Sequence, residues 1–500
     1  MRVFRTKSVE QTLAETSEEG HSLQRSLNTW DLAVMGVAVA VGAGIFSIGA
    51  QAAAFYAGPA VIISFIIAGV VCGAAVMCYA EFASMLPVSG SAYTFTYTTI
   101  GEIAAWVIGW DLILEMLMAS SVIAKYWGVY LNDFVHLMGG KNFSTVMNFG
   151  SVSIDIAPLV IVAVFTVLLA LGTKISARFD GVLTVLKIGI VLFVIVVGFF
   201  YIKVENYHPF IPPSQPASEV SGAAVSSAMA QPLWQWATGM SPSVYGVPGI
   251  LSGAALVFFA FLGFDVVATT CEEAKDPRKT VPRGIFFGMA IVVVLYVLVA
   301  IVTTGMVSYK DLAKIPSPSL ATGFELAGAT WAATVISFGI VIGLTTVVMV
   351  LLLGLTRVIF ALSRDGLLPR SLSKTGKHGT PVRIQVITGI VVALVAACCN
   401  IDVLSDMVNI GTLSAFTLVA IAIPIMRKKR PDLDRSFKIP GNPWIPILIA
   451  LACFWLMLNL TVLTWVRFLV WLGIGFCVYF GYSYRHSRLG EELSADTVSA

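Results

Sequence analysis

Apolar positions run together along this chain instead of alternating with polar ones. Between Leu32 and Ala80 there is no Asp, Glu, Lys or Arg. A helix needs about 20 apolar residues to cross the hydrocarbon core of a bilayer. This one stretch therefore predicts two spanning helices, hinged at Ala57-Gly58-Pro59. The same criterion predicts twelve spans over the chain, at 28–54, 59–86, 102–137, 157–173, 179–202, 249–271, 285–308, 327–362, 384–400, 404–426, 444–463 and 466–484. The third and eighth are long enough to tilt or to project into solvent. Stretches 138–156, 203–248 and 309–326 are the long connections. Prolines in Tyr207–Pro216 and Pro242–Pro248 forbid regular helix there, with room for a short surface helix between them.

Two of the uncharged runs are interrupted by glycine near their middle. The first reads Gly42-Ala43-Gly44-Ile45-Phe46 and the second Phe258-Phe259-Ala260-Phe261-Leu262-Gly263-Phe264-Asp265. In lipid a helix must bond all its own backbone groups, so a break is tolerated only beside protein or a watery cavity. A matched pair of interrupted segments points to a transporter's substrate site. At the first break, N–H groups around Ala43 and Gly44 would open the outer half-helix and attract an anion. Carbonyls near Val39, Ala40 and Val41 would attract a cation. At the second, carbonyls of Phe259, Ala260 and Leu262 would complete a cradle for an ammonium group. Phe259 or Phe264 is either an aromatic lid over a solute or ordinary packing. Close packing of small residues is the competing explanation for the Gly-x-Gly pattern itself.

The broken runs are the first and the sixth, so five spans separate equivalent points and the second copy would run inverted. The expected fold class is an all-α integral membrane protein of twelve transmembrane helices, a five-plus-five inverted repeat followed by two extra helices. Its divisions are a tail at 1–27, a first repeat at 28–202, an outer loop at 203–248, a second repeat at 249–426, two additional helices at 427–484 and a tail at 485–500. Lys and Arg set the orientation. With the N-terminus inside, the inner stretches hold 23 and the outer ones five. Both termini are thus expected in the cytoplasm, and the protein in the plasma membrane.

Bulk composition agrees. Of 500 residues 57% are hydrophobic and only 12% charged, with a mean hydropathy of +0.88, outside the range of soluble domains. A formal charge of +3 is too small to suggest nucleic acid. The seven cysteines show no CxxC or spaced extracellular pair, and no His has a partner at metal spacing, so no disulfide framework, zinc site or other metal is expected. The first 25 residues lack the apolar core of a cleaved signal. With no P-loop, GxSxG, HExxH or dinucleotide fingerprint in a suitable context, the chain is expected to be driven by a gradient and not to be an enzyme.

Charged residues inside the spans are the remaining chemistry. Lys187 lies about nine residues into its span, too deep to reach the surface easily. A lysine at membrane depth is costly and marks function by default. Desolvated there it can release its proton, or it can serve as a fixed cation in place of sodium. A structural ion pair with Glu115 and an inner-end anchor are the plainer alternatives. Glu115 is itself intramembrane, with Asp111 four residues earlier on the same helix face. Glu115 and Asp265 each divide between a functional role and simple pairing. Thr345 and Thr346 could bond a cation, a substrate or Lys187, or bond back to their own helix. The inner segments Glu272–Lys279 and Arg357–Pro369 read as solvated faces or as a gating network.

At these residues the chain resembles the amino acid–polyamine–organocation superfamily, and most of all the bacterial relatives of the cationic amino acid transporters. The resemblance runs from Leu23 to Tyr484. It is carried by Leu23-Gln24-Arg25-Ser26-Leu27 with Trp30-Asp31-Leu32, by Gly42-Ala43-Gly44-Ile45-Phe46, and by Tyr79-Ala80-Glu81 through Pro87-Val88-Ser89-Gly90-Ser91-Ala92-Tyr93. Ser176-Ala177-Arg178-Phe179, Phe261-Leu262-Gly263-Phe264-Asp265 and Ala268-Thr269-Thr270-Cys271-Glu272-Glu273-Ala274 continue it. Thr356-Arg357-Val358, Arg364-Asp365-Gly366-Leu367-Leu368-Pro369 and Asn409-Ile410-Gly411-Thr412-Leu413 complete it.

The resemblance implies a LeuT-type fold. It implies a substrate carboxylate on the N–H groups of Ala43 and Gly44, and an ammonium on the carbonyls of Ala40, Phe259 and Leu262. Lys187 matches the lysine that proton-coupled members carry in the fifth span. The side-chain pocket is implied near Glu115 and Leu344, which suits a small neutral side chain such as that of alanine, or a cationic one if Glu115 is reached. The expected function is proton-coupled import of an L-amino acid. Exchange of one amino acid for another, or amino-acid sensing without transport, are the alternatives. The expected partners are an L-amino acid and the lipid bilayer, with a small membrane accessory protein left open, no nucleic acid, and no cofactor beyond the coupling proton.

Overall fold

The computed structural model describes residues 5–8, 27–85, 91–139, 145–149, 152–171, 176–217, 228–264, 267, 274–315, 317–374 and 381–491. Asp265 and the pair Glu272-Glu273 lie outside them.

The chain is built of helices. α1 (Thr29–Ala40) begins at Asn28, whose side chain accepts the amides of Trp30 and Asp31 while the Asp31 carboxylate accepts the amide of Asn28. This capping box satisfies donors that a first turn otherwise leaves open. After Ala40 the chain bends at Val41 and Gly42 and resumes as π-helical turns at Gly44–Ile48, continuing in helical turns to Ala57. The first apolar run is therefore two half-helices. α2 (Val61–Met85), the short α3 (Ser91–Thr99) and the 36-residue α4 (Glu102–Leu137) follow.

An antiparallel hairpin of β1 (Val146–Phe149) and β2 (Val152–Asp155), with Val146 opposite Asp155, leads into α5 (Ile156–Leu171) and α6 (Ser176–Phe199). The described residues between Lys203 and Tyr245 are mostly irregular but carry the short helix Leu233–Thr238. α7 (Gly246–Val257) tightens to a 3₁₀ turn at Phe258–Phe261 and loses helical form at Leu262 and Gly263. Then come α8 (Pro277–Met306), α9 (Thr330–Arg364), α10 (Val382–Cys398), α11 (Ile401–Lys429), α12 (Trp444–Leu458) and α13 (Val462–Val478).

Among the described residues, six helical stretches are long and apolar enough to cross a membrane, and six further apolar helices are shorter. Two of the short ones, Thr29–Ala40 and Gly246–Phe261, are short because a break ends them. Along several helices the outward side chains are as apolar as the core. Val164, Val167, Ile387, Leu394, Leu448 and Leu469 are all exposed, as expected where lipid is the solvent.

α4 is the central post, with α9 and α11 packed along it, while α8 crosses α1 and α2. At 1.5 Å per residue α4 is about 54 Å long, well beyond a hydrocarbon core of roughly 30 Å. Its first residue, Glu102, is fully buried at the projecting end. It accepts from Arg5 at 2.9 Å, Tyr97 at 2.9 Å and Tyr479 at 3.0 Å, and from the Ser487 hydroxyl. Arg5 and Ser487 come from opposite ends of the chain, so both ends pack on one face. Nearby, the fully buried Glu81 accepts Arg427 at 2.8 and 2.6 Å and the Ile439 amide at 2.8 Å.

A buried carboxylate stripped of its partner is strongly destabilising, by roughly 3–5 kcal/mol. Arg427→Ala is therefore expected to lower the melting temperature of the purified protein far more than Arg278→Ala, which loses an exposed pair with Asp434. Equal melting of the two variants would show that Glu81 does not depend on Arg427.

Candidate functional site

The two breaks meet. At Gly44 an added Cβ would overlap the backbone of Ala260, so the outer half of the first run touches the 3₁₀ turn of the second with no room for a side chain. Gly263 has φ +97° and faces the Val39 side chain. Only glycine adopts that backbone freely. No side chain caps the start of the π-helical segment at Ala43.

Between the breaks lies a small cavity of about 30 Å³, space for one or two waters. One break contributes Val39, Ala40, Gly42, Ala43 and Gly44 to its lining and the other Phe259, Leu262 and Gly263. α4 supplies Glu115, Met116, Ala119 and Ile123, and α9 supplies Val347 and Leu351. The site thus brings residues of both breaks against an aliphatic wall, and Glu115 is the one ionisable side chain among the described residues of its lining.

Of the residues singled out from the sequence, Ala40, Gly42, Ala43, Gly44, Phe259, Leu262 and Glu115 come together around this cavity. Val41 is fully buried but outside the lining. Ala260 is turned to Gly44 instead. Phe264 packs on Gly36 of α1 and Gly288 of α8, as interior packing and not as a lid. Leu344 is fully buried and also outside the lining; the α9 wall begins one turn on, at Val347. The Thr345 hydroxyl donates to the Val341 carbonyl at 2.7 Å and accepts the Trp127 indole at 3.1 Å. The Thr346 hydroxyl donates to Gly343 at 2.9 Å. Both threonines therefore spend their hydrogen on their own helix.

Lys187 is buried on α6. Its Nζ donates to the Ala38 carbonyl at 2.9 Å, in the last turn of α1 before the break, while its methylenes press on Gly343 of α9. The lysine therefore ties three elements together next to the cavity. Sequence reasoning missed Tyr296. Its buried hydroxyl lies 2.6 Å from the Ala40 carbonyl and 2.8 Å from that of Ala260, one oxygen spanning both breaks. A hydroxyl carries a single hydrogen, so it satisfies one of these carbonyls at a time. The only signal was a lone phenol in the apolar run Val292–Ala300.

A family described as amino acid permease matches residues 27–481. The chain belongs to the amino acid permease family. It is similar to the branched-chain amino acid permease BcaP of Bacillus subtilis (strain 168), with 42% identity over 496 residues covering 98% of this chain and 99% of the relative. It is also similar to the methylthioribose transporter of the same organism, at 39% over 495 residues with the same coverage. The mouse cationic amino acid transporter 4 is 32% identical over 450 residues, 88% of this chain and 65% of that protein. The permease is thus a multi-pass membrane transporter and not an enzyme.

The contact between the breaks makes Gly44 a sensitive position of the site. Gly44→Ala forces overpacking of about 1–3 kcal/mol. Substrate affinity in detergent is expected to fall about tenfold or more while the protein remains folded. Unchanged affinity would show that the two breaks separate freely.

Proposed function

We propose that the permease imports an L-amino acid with an aliphatic side chain, coupled to protons. The observation that carries this reading is the cavity, lined by residues of both breaks and by the apolar Met116, Ile123, Val347 and Leu351. N–H groups at Ala43 and Gly44 would hold the carboxylate, and carbonyls of Ala40, Phe259 and Leu262 the ammonium. The aliphatic wall favours a branched side chain, in keeping with the name of the relative that is 42% identical. It is less suited to a cationic one, for which Glu115 would be the counter-charge.

The membrane arrangement belongs to the same reading. The six long and six short apolar helices combine, across the breaks, into twelve spans in the LeuT-type layout. The excess of Lys and Arg puts the shared face of the two termini in the cytoplasm of a plasma-membrane protein. Lys187 occupies the place of a coupling cation, bonded to the inner half of the first span. Neutralised, it would lose the charge assistance of its bond to Ala38, loosening its hold on that half-helix.

Methylthioribose transport is a second reading, favoured by the 39% identical relative. Uptake into proteoliposomes, screened over the twenty amino acids and methylthioribose with and without an inward proton gradient, separates them. Accumulation of Leu, Ile or Val that needs the gradient is expected. Accumulation of methylthioribose alone would overturn the amino-acid reading, and gradient-independent exchange would overturn proton coupling. Lys187→Ala is expected to lose gradient-driven accumulation while keeping substrate binding. Wild-type pH dependence in that variant would remove the lysine's coupling role.

A further inference from the structure

The cavity accounts for Glu115 but leaves a second carboxyl unexplained one turn inward. Asp111 is 1% exposed and lies outside the cavity lining. Its Oδ2 is 2.5 Å from Ser414 Oγ on α11. Its Oδ1 has no hydrogen-bond partner. Ser414 Oγ is also 2.8 Å from the Gly411 carbonyl of its own helix.

One hydrogen therefore has two acceptors. If the Ser414 hydroxyl points at Asp111, it donates to an ionised carboxylate, and 2.5 Å is the length of such a charge-assisted bond. If it points at Gly411, two oxygens at 2.5 Å need another hydrogen between them, and Asp111 carries it and donates to Ser414. Rotation of a single hydroxyl thus serves both protonation states in one backbone geometry.

We propose that Asp111, relayed by Ser414, is a proton-binding site of the transport cycle, separate from the substrate cavity. This rests on the proton-coupled reading above. The step is a plain proton transfer: a water-borne proton adds to the carboxylate, and the same proton leaves to water on the other side of the membrane.

The groups facing Asp111 are few. On α4 itself Glu115 lies one turn outward, and Glu102 at the inner end is held by Arg5, Tyr97 and Tyr479. α11 presents Ser414 and, further out, Asn409 and Asp406. The tyrosines of α3 are committed elsewhere, Tyr93 to Asp365 and Tyr97 to Glu102. Arg357 of α9 is exposed, and α13 meets the neighbouring Trp110 through Gly475 and the Trp471 carbonyl. No cation hydrogen-bonds to Asp111 among the described residues.

A route outward is also marked. The Asn409 amide donates to the Ala255 and Leu256 carbonyls at 3.0 and 3.3 Å, leaving its Oδ1 without a partner. One turn outward on α11, Ser405 Oγ is buried and unpartnered. Ser252 Oγ, one turn outward on the facing α7, is the same. Buried polar atoms of this kind are what ordered water satisfies. They lead from Asp406 and the exposed Asp402 at the outer end of α11 toward Asp111.

Asp111→Asn keeps the shape and removes the titration. In proteoliposomes, substrate counterflow, which needs no net proton, is expected to continue. Gradient-driven accumulation should fall to the equilibrium level, and proton entry followed by a trapped pH dye should be lost. Wild-type accumulation and proton entry in this variant would overturn the assignment while leaving coupling through Lys187 in place. A wild type indifferent to the gradient would remove the coupling reading and this assignment together. Should Asp111→Asn fail to fold, Ser414→Ala decides: a displaced midpoint in the pH profile of uptake supports the relay, and an unmoved profile overturns it.

Discussion

The structure depends on one constraint: a backbone group inside a membrane must find a partner. Two helices of this permease break that rule at the same depth. The breaks survive because each faces the other, with Gly44 against Ala260 and the Tyr296 hydroxyl between the Ala40 and Ala260 carbonyls. Lys187 serves one more orphan, the Ala38 carbonyl. Residues of both breaks line the cavity, and in the proposed reading their main-chain groups hold the two charges of the solute.

The scaffold that holds the breaks is stiff for separate reasons. α4 reaches from the buried Glu102 cluster, past Asp111 and Glu115, to the outer hairpin. One helix thus connects the face where both chain ends pack, the proposed proton site and the cavity wall. α9 and α11 lie along it and supply the aliphatic wall and Ser414. The charged clusters on Glu81 and Glu102 sit at the end of this post, where buried charge is bound by several donors instead of one.

Much of the fold was legible because lipid makes patterning blunt. The limits of α4 read from the sequence match the structure, since polar residues bound an apolar run on both sides. The breaks were legible because glycines interrupt runs that have no other reason to stop. α3 was not legible. Its segment Ser91–Thr99 is rich in Thr and aromatic residues, which favour helix only weakly, and it is helical because Phe95, Thr96 and Thr99 bury against neighbours. Side-chain direction was the other blind spot. Leu344, Phe264 and Thr346 lie near the cavity in sequence, but rotation about their helix axes turns them into packing or onto their own carbonyls. Tyr296 gave the opposite error, a bridging group that looked like core.

Equilibrium binding of the transported amino acid, its amide and its N-acetyl derivative to purified permease tests the dipole clamp most directly. Hydrogen bonds to charged groups contribute about 1.5–3 kcal/mol each. Each derivative, having lost one charge, is therefore expected to bind about ten- to a hundredfold more weakly than the zwitterion. Equal affinity for all three would contradict the account, because the exposed main-chain groups would then not be what holds the substrate.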